Sequence, residues 1–103
     1  MLQVLTFILL FSSFTYVGDV KLFYLEEKPE DVSHMTYMEM RGLDQLEACE
    51  SIILRLEKAV KEYAKEQSKS VVKIYIVEQI RPQIQTESQY GRIGKVSILF
   101  ELE

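Results

Sequence analysis

The sequence predicts an α+β fold, in which one long α-helix packs on an antiparallel sheet of two β-hairpins. The sheet has four or five strands and the order is ββ(β)αββ. Three features lead to this expectation. Leu46, Cys49, Ile53, Leu56, Val60 and Tyr63 recur at spacings of three and four, which places them on one stripe of a helix. Residues 71–80 and 92–103 alternate apolar and polar with a polar run between them, the pattern of two half-buried strands. Gly18-Asp19 lies between two strand-like runs, as a tight hairpin turn does.

The helix is expected over 43–68. Ile52, Ala59 and Ala64 widen its apolar stripe, while Lys, Arg, Glu and Gln fill much of the opposite side. Asp44 and Glu47 have the spacing of a capping box, and Leu43 and Ala48 that of a hydrophobic staple. Lys65 and Lys69 suit the negative end of the helix dipole. About 25 residues at 1.5 Å each make a rod of roughly 38 Å.

Ahead of the helix, the first strand is expected from about Val4 to Val17, with a bend at Ser12-Ser13. The turn at Gly18-Asp19 then sets Val17 opposite Val20 and Phe14 opposite Phe23. Residues 26–31 contain Pro29 and four acids and read as a loop. Residues 32–41, with Met35, Tyr37, Met38 and Met40, fit a strand or an irregular connection equally. After the helix, Val72, Ile74, Ile76 and Ile80 share one face of a strand, and Lys73, Tyr75, Val77 and Gln79 the other. Pro82 marks an edge or a bend, and residues 83–89 hold a turn. In the last strand Val96, Ile98, Phe100 and Leu102 face the core.

Composition narrows the function. The 103 residues suffice for a single domain, 1–103, with one core. A hydrophobic content of 48% and a charged content of 27% are those of a folded globular chain. The net charge of -4 arises near Glu26, Glu27, Glu30 and Asp31, and there is no basic stripe, so no nucleic-acid partner is expected. The apolar run near Phe7 to Phe11 is short and interrupted for a transmembrane helix, and no membrane partner is expected. No basic residue precedes it, as one would in a secretory leader. A cytoplasmic protein is therefore expected, with secretion after removal of a leader as the alternative.

Chemistry-bearing motifs are sparse. Cys49 is the only cysteine and lies on the helix stripe, where a thiol acts as a small apolar residue. His34 has no second His or Cys beside it, so neither a metal set nor a Ser/His/Asp triad is expected. Gly91-Arg92-Ile93-Gly94-Lys95 lacks the spacing of a phosphate-binding Walker loop and reads as a glycine-relieved bend before a strand. Glu78 and Glu101 lie on different strands, and the sequence does not bring them together. No catalytic residue, metal ligand or cofactor is predicted, and an enzyme is the less favoured class.

The apolar surplus is the main functional clue. A single helix covers one face of a sheet, yet the first strand is apolar on both faces and Tyr75 and Val77 lie opposite the core-facing side. The expectation is a homodimer or higher homo-oligomer, a structural or regulatory interaction protein whose interface uses Phe7, Leu9, Phe11, Tyr75 and Val77. The alternative is a small acidic inhibitor or immunity-type protein that presents Glu26, Glu27, Glu30 and Asp31 to a basic site on a protein partner.

Overall fold

A computed structural model describes residues 20–103. The elements are β1 (Lys21–Tyr24), β2 (Thr36–Arg41), α1 (Cys49–Glu66), β3 (Val71–Ile80) and β4 (Lys95–Leu102). The strand expected over 4–17, the turn at Gly18-Asp19 and the interface candidates Phe7, Leu9 and Phe11 lie outside the described residues.

The class is α+β: the described residues form one helix and a four-stranded sheet in the order β1-β3-β4-β2. The sheet is mixed, which corrects the expectation of a purely antiparallel one. β3 and β4 form a hairpin, β2 runs antiparallel to β4, and β1 runs parallel to β3. β2 and β3 are therefore parallel to one another, joined by α1 and separated by β4, a split βαβ arrangement. The reason lies in the connection between β1 and β2. These strands occupy opposite edges, so residues 25–35 must cross three strand spacings, about 14 Å. Residues 32–41, equivocal in the sequence, do supply an edge strand.

The helix is shorter than expected, 18 residues or about 27 Å. The capping interactions form, but on a separate turn. Asp44 Oδ1 accepts from the amides of Leu46 (2.8 Å) and Glu47 (3.1 Å), and Glu47 Oε1 accepts from the amide of Leu43 (2.8 Å). The chain then extends at Ala48 (φ -71, ψ 159) before the helix starts. The buried line is Cys49, Ile52, Leu56, Val60 and Ala64. It follows an i+4 ridge, which is inclined to the helix axis, and so leaves the expected stripe. Ile52 replaces Ile53 on the ridge, and Ile53 is only partly buried against the core. Leu46, at 75% exposure, and Tyr63, at 41%, lie off the line. Tyr63 still meets Phe100 edge-on, with ring centroids 6.0 Å apart.

The core sits between this ridge and Val20, Val72, Ile74, Val96, Ile98 and Phe100. A bulge interrupts it at the far end of β3. Ile76 pairs with Ile98, but Glu78 pairs with Ser97, so Val77 is an extra residue. Beyond it the alternation inverts. Gln79 lies opposite Val96 and Ile80 opposite Lys95, the reverse of the faces expected for both. The shift reconciles two registers. Glu78↔Ser97, Ile80↔Lys95, the bridge Gln83↔Arg92 and the turn bond from Thr86 N to Gln89 O (3.0 Å) all share the register set by a two-residue loop at Glu87-Ser88. The core half of the hairpin is offset by one residue, and the bulge absorbs the offset.

Gly91 and Gly94 serve close packing. A Cβ on Gly94 would meet the Ile52 side chain at 3.1 Å, and one on Gly91 would run into the Gln45 carboxamide. The same carboxamide accepts from the amide of Gln85 at 3.0 Å and ties the hairpin tip to the capped turn.

Candidate interaction face

With α1 on one side, the side chains on the other side of the sheet form a face of their own. Strand register orders that face into rows. The middle row runs Tyr37, Leu99, Tyr75 across β2, β4 and β3. The next row is Glu39, Ser97, Glu78, followed by Arg41, Lys95, Ile80. On the opposite flank Glu101 lies beside Lys73, with Phe23 on β1 beyond it. Tyr37 and Phe23 are about half exposed, as is Val77 at the bulge, while Tyr75 and Leu99 are half-buried. On the hairpin arm, beside the Gln83↔Arg92 bridge, Ile84 and Ile93 are also exposed, and Ile93 packs closely against Gly42.

The charges on this face neutralise one another. Lys95 Nζ lies 3.1 Å from Glu78 Oε1 and 3.6 Å from Glu39 Oε1, and Arg41 Nε lies 3.5 Å from Glu39 Oε2. The Tyr37 hydroxyl donates to Glu39 Oε1 at 3.2 Å. Desolvation works to raise the Glu39 pKa, but the Tyr37 hydrogen bond and the two cations outweigh it and hold the carboxyl below the usual range. Lys73 pairs with Glu103 at 2.8 Å, and its pKa is raised by that hydrogen bond. Ser97, 1% exposed, is sealed beneath the Glu39–Lys95–Glu78 cluster, and its hydroxyl has no partner among the described residues.

Glu78 and Glu101 share this face but belong to separate rows. Their partners on β4 and β3 place them about four residues, or roughly 13 Å, apart along the strands. Each is occupied, Glu78 by Lys95 and Glu101 by His34, whose Nε2 lies 3.2 Å from Glu101 Oε2. No three His, Cys, Asp or Glu side chains converge as a metal set among the described residues. Cys49 is buried at the start of α1, and its thiol donates to the Ile80 carbonyl at 3.4 Å.

Of the acidic-loop candidates, Glu26, Glu27, Glu30 and Asp31 are all exposed. Asp31 turns inward on its own loop. Its Oδ1 accepts from the Ser33 amide (2.9 Å) and hydroxyl (2.7 Å), which lower its pKa, and its Oδ2 lies 4.0 Å from His34 Nδ1. His34 thus connects the loop to β4.

Of the expected interface residues, Tyr75 stands in the middle row of this face and Val77 at the bulge of β3. Leu99 and Tyr37 complete the band and were not among the expected interface residues. Leu99 was within reach, because it shares a strand face with Lys95, Ser97 and Glu101. Tyr37 required β2 to be recognised as a strand. No described helix is long and apolar enough to cross a membrane. No protein-family model, curated protein or solved structure matches the chain.

Proposed function

We propose that this chain is a non-enzymatic interaction protein, structural or regulatory, that works as a homo-oligomer in the cytoplasm. The contact is the sheet face opposite α1. The observation that carries the reading is the apolar row Tyr37–Leu99–Tyr75, which spans three strands between flanking rows whose charges are paired. Those rows favour a second copy over a foreign partner of complementary charge. Glu39, Glu78 and Lys95 are already paired within the face, as are Lys73 and Glu103. A partner need not supply compensating charges, so the same face on a second copy meets the requirement by isologous contact. Tyrosine suits the role, with a large apolar body and a polar tip. The lone buried thiol of Cys49 accords with a reducing compartment.

Such a contact should bury more than about 1,000 Å² in total. Sedimentation at several concentrations tests it. The parent is expected to associate and to do so with little sensitivity to salt, since apolar burial dominates. Leu99→Lys and Val77→Lys should each stay folded and lose association through this face, because each puts an unpaired charge into the contact. A parent that stays monomeric at high micromolar concentration would refute the reading.

A further inference from the structure

The two edges of the sheet are guarded unequally. On the β1 side, β1 is only four residues long. Where β3 runs on past it, the Val77 bulge and then Pro82 spoil the template that an incoming strand would need. β2, the other edge, has none of these devices. Its six residues contain no Pro, Gly or Lys, and its register with β4 is unbroken from Thr36 to Arg41.

Main-chain parity fixes which groups this edge presents. The Gly42 amide donates to the Gly94 carbonyl at 2.8 Å, so the even-numbered residues of β2 turn their amides and carbonyls toward β4. Tyr37, Glu39 and Arg41 turn theirs outward. Arg55 Nη2, which reaches the Arg41 carbonyl at 2.8 Å, occupies one of those outward groups. No other hydrogen bond to them is made among the described residues.

We propose that β2 is a self-pairing edge, on which a second copy adds its own β2 antiparallel across a two-fold axis and the two sheets become one of eight strands. Charge selects the register. Glu39 opposite Glu39 of the second copy sets like charges side by side, which is unfavourable. Tyr37 opposite Glu39 of the second copy leaves Arg41 beyond the pairing. Glu39 opposite Arg41 of the second copy forms two symmetric ion pairs and aligns outward amides with outward carbonyls, the Arg41 carbonyl accepting the partner amide on its second lone pair beside the bond from Arg55. It also brings Tyr37 against Leu43 of the second copy, and Leu43 is otherwise 76% exposed. Arg41 is free to turn to this partner, since its side chain is 72% exposed and its contact with Glu39 of its own chain is long at 3.5 Å. This contact does not rest on the sheet-face reading, because it uses the edge and survives loss of the face.

A complementary pair of variants tests it. In the proposed register, Arg41→Glu sets two glutamates against two, and Glu39→Arg sets two arginines against two. Each variant alone should associate at least about tenfold more weakly than the parent. Mixed in equal amounts, they should form a heterodimer as stable as the parent assembly, because every pair is again Glu against Arg. Hydrogen exchange of the unaltered parent supplies a second readout, in which protection of the Tyr37 and Glu39 amides should rise with protein concentration. Single variants that associate like the parent would overturn the proposal, as would a mixture that fails to recover. So would Tyr37 and Glu39 amides that exchange alike at low and high concentration, including a parent whose association is abolished by Leu99→Lys alone with no change at β2.

Discussion

Arg55 holds Glu47 with two prongs of its guanidinium, Nη2 at 2.6 Å from Oε1 and Nε at 2.9 Å from Oε2. The pair links the capped turn before α1 to the second turn of the helix, with help from the Leu43 amide and the Ser51 hydroxyl, both on the same carboxylate. Arg55 also reaches the end of β2, so one guanidinium ties together turn, helix and edge strand.

The Arg55 hydrogen bond, then those from Leu43 and Ser51, lower the Glu47 pKa from 4.5 to about 2. A carboxyl with a depressed pKa in the folded state contributes stability above its unfolded pKa and loses it as pH falls through the folded value. Stability should therefore decline between about pH 4.5 and about pH 2. Glu47→Gln should lower the denaturation midpoint at neutral pH and flatten the decline on acidification. Asp31 and Glu39, also depressed, leave the variant some residual slope. Urea melts of parent and variant across that range check both effects. An equally steep acid limb in the variant would rule out Glu47 as its main source.

The buried ridge of α1 ranks substitutions that look alike in sequence. Ile52 and Leu56 are 0% and 2% exposed, whereas Leu46 is 75% exposed. Ile52→Ala and Leu56→Ala should each cost about 2–5 kcal/mol by leaving a cavity. Leu46→Ala should stay within about 0.5 kcal/mol. Chemical denaturation of the three variants gives the order directly.

Ser68 closes α1 in the left-handed conformation, φ 56. The Lys69 amide donates to Ala64 O at 2.8 Å and the Ser68 amide to Lys65 O at 3.0 Å, the two bonds of a Schellman motif. Only glycine holds this conformation without a Cβ penalty. Ser68→Gly should raise stability by about 0.5–1 kcal/mol, and Ser68→Val should lower it. Both effects should appear as a shift of the urea midpoint at constant slope.

Much of the fold was legible because local pattern and burial agree. Val72 and Ile74 alternate with Lys73 and Tyr75, and Val96, Ile98 and Phe100 with Ser97 and Leu99. Those alternations place the strands and, up to Ile76, their core faces. The expectation failed where the pattern carries no count of residues on the opposing strand. Val77 looks like any other alternating position, yet the two-residue loop at Glu87-Ser88 makes it the one residue too many. The candidate face was half legible for the same reason. Tyr75 precedes the bulge and keeps its expected side, while Tyr37 lies in residues 32–41, which fit a strand or an irregular connection equally.

The sequence by itself determined the α+β class, the helix, the β3–β4 hairpin and the apolar identity of the core, since each follows from side-chain period within one segment. Only the tertiary structure decided that β1 pairs in parallel with β3, that β2 takes the far edge, and that Ile52 rather than Ile53 lies on the buried ridge. Those outcomes depend on which strands meet and at what angle the helix crosses them. Residue spacing along the chain fixes neither, because packing between distant segments sets both.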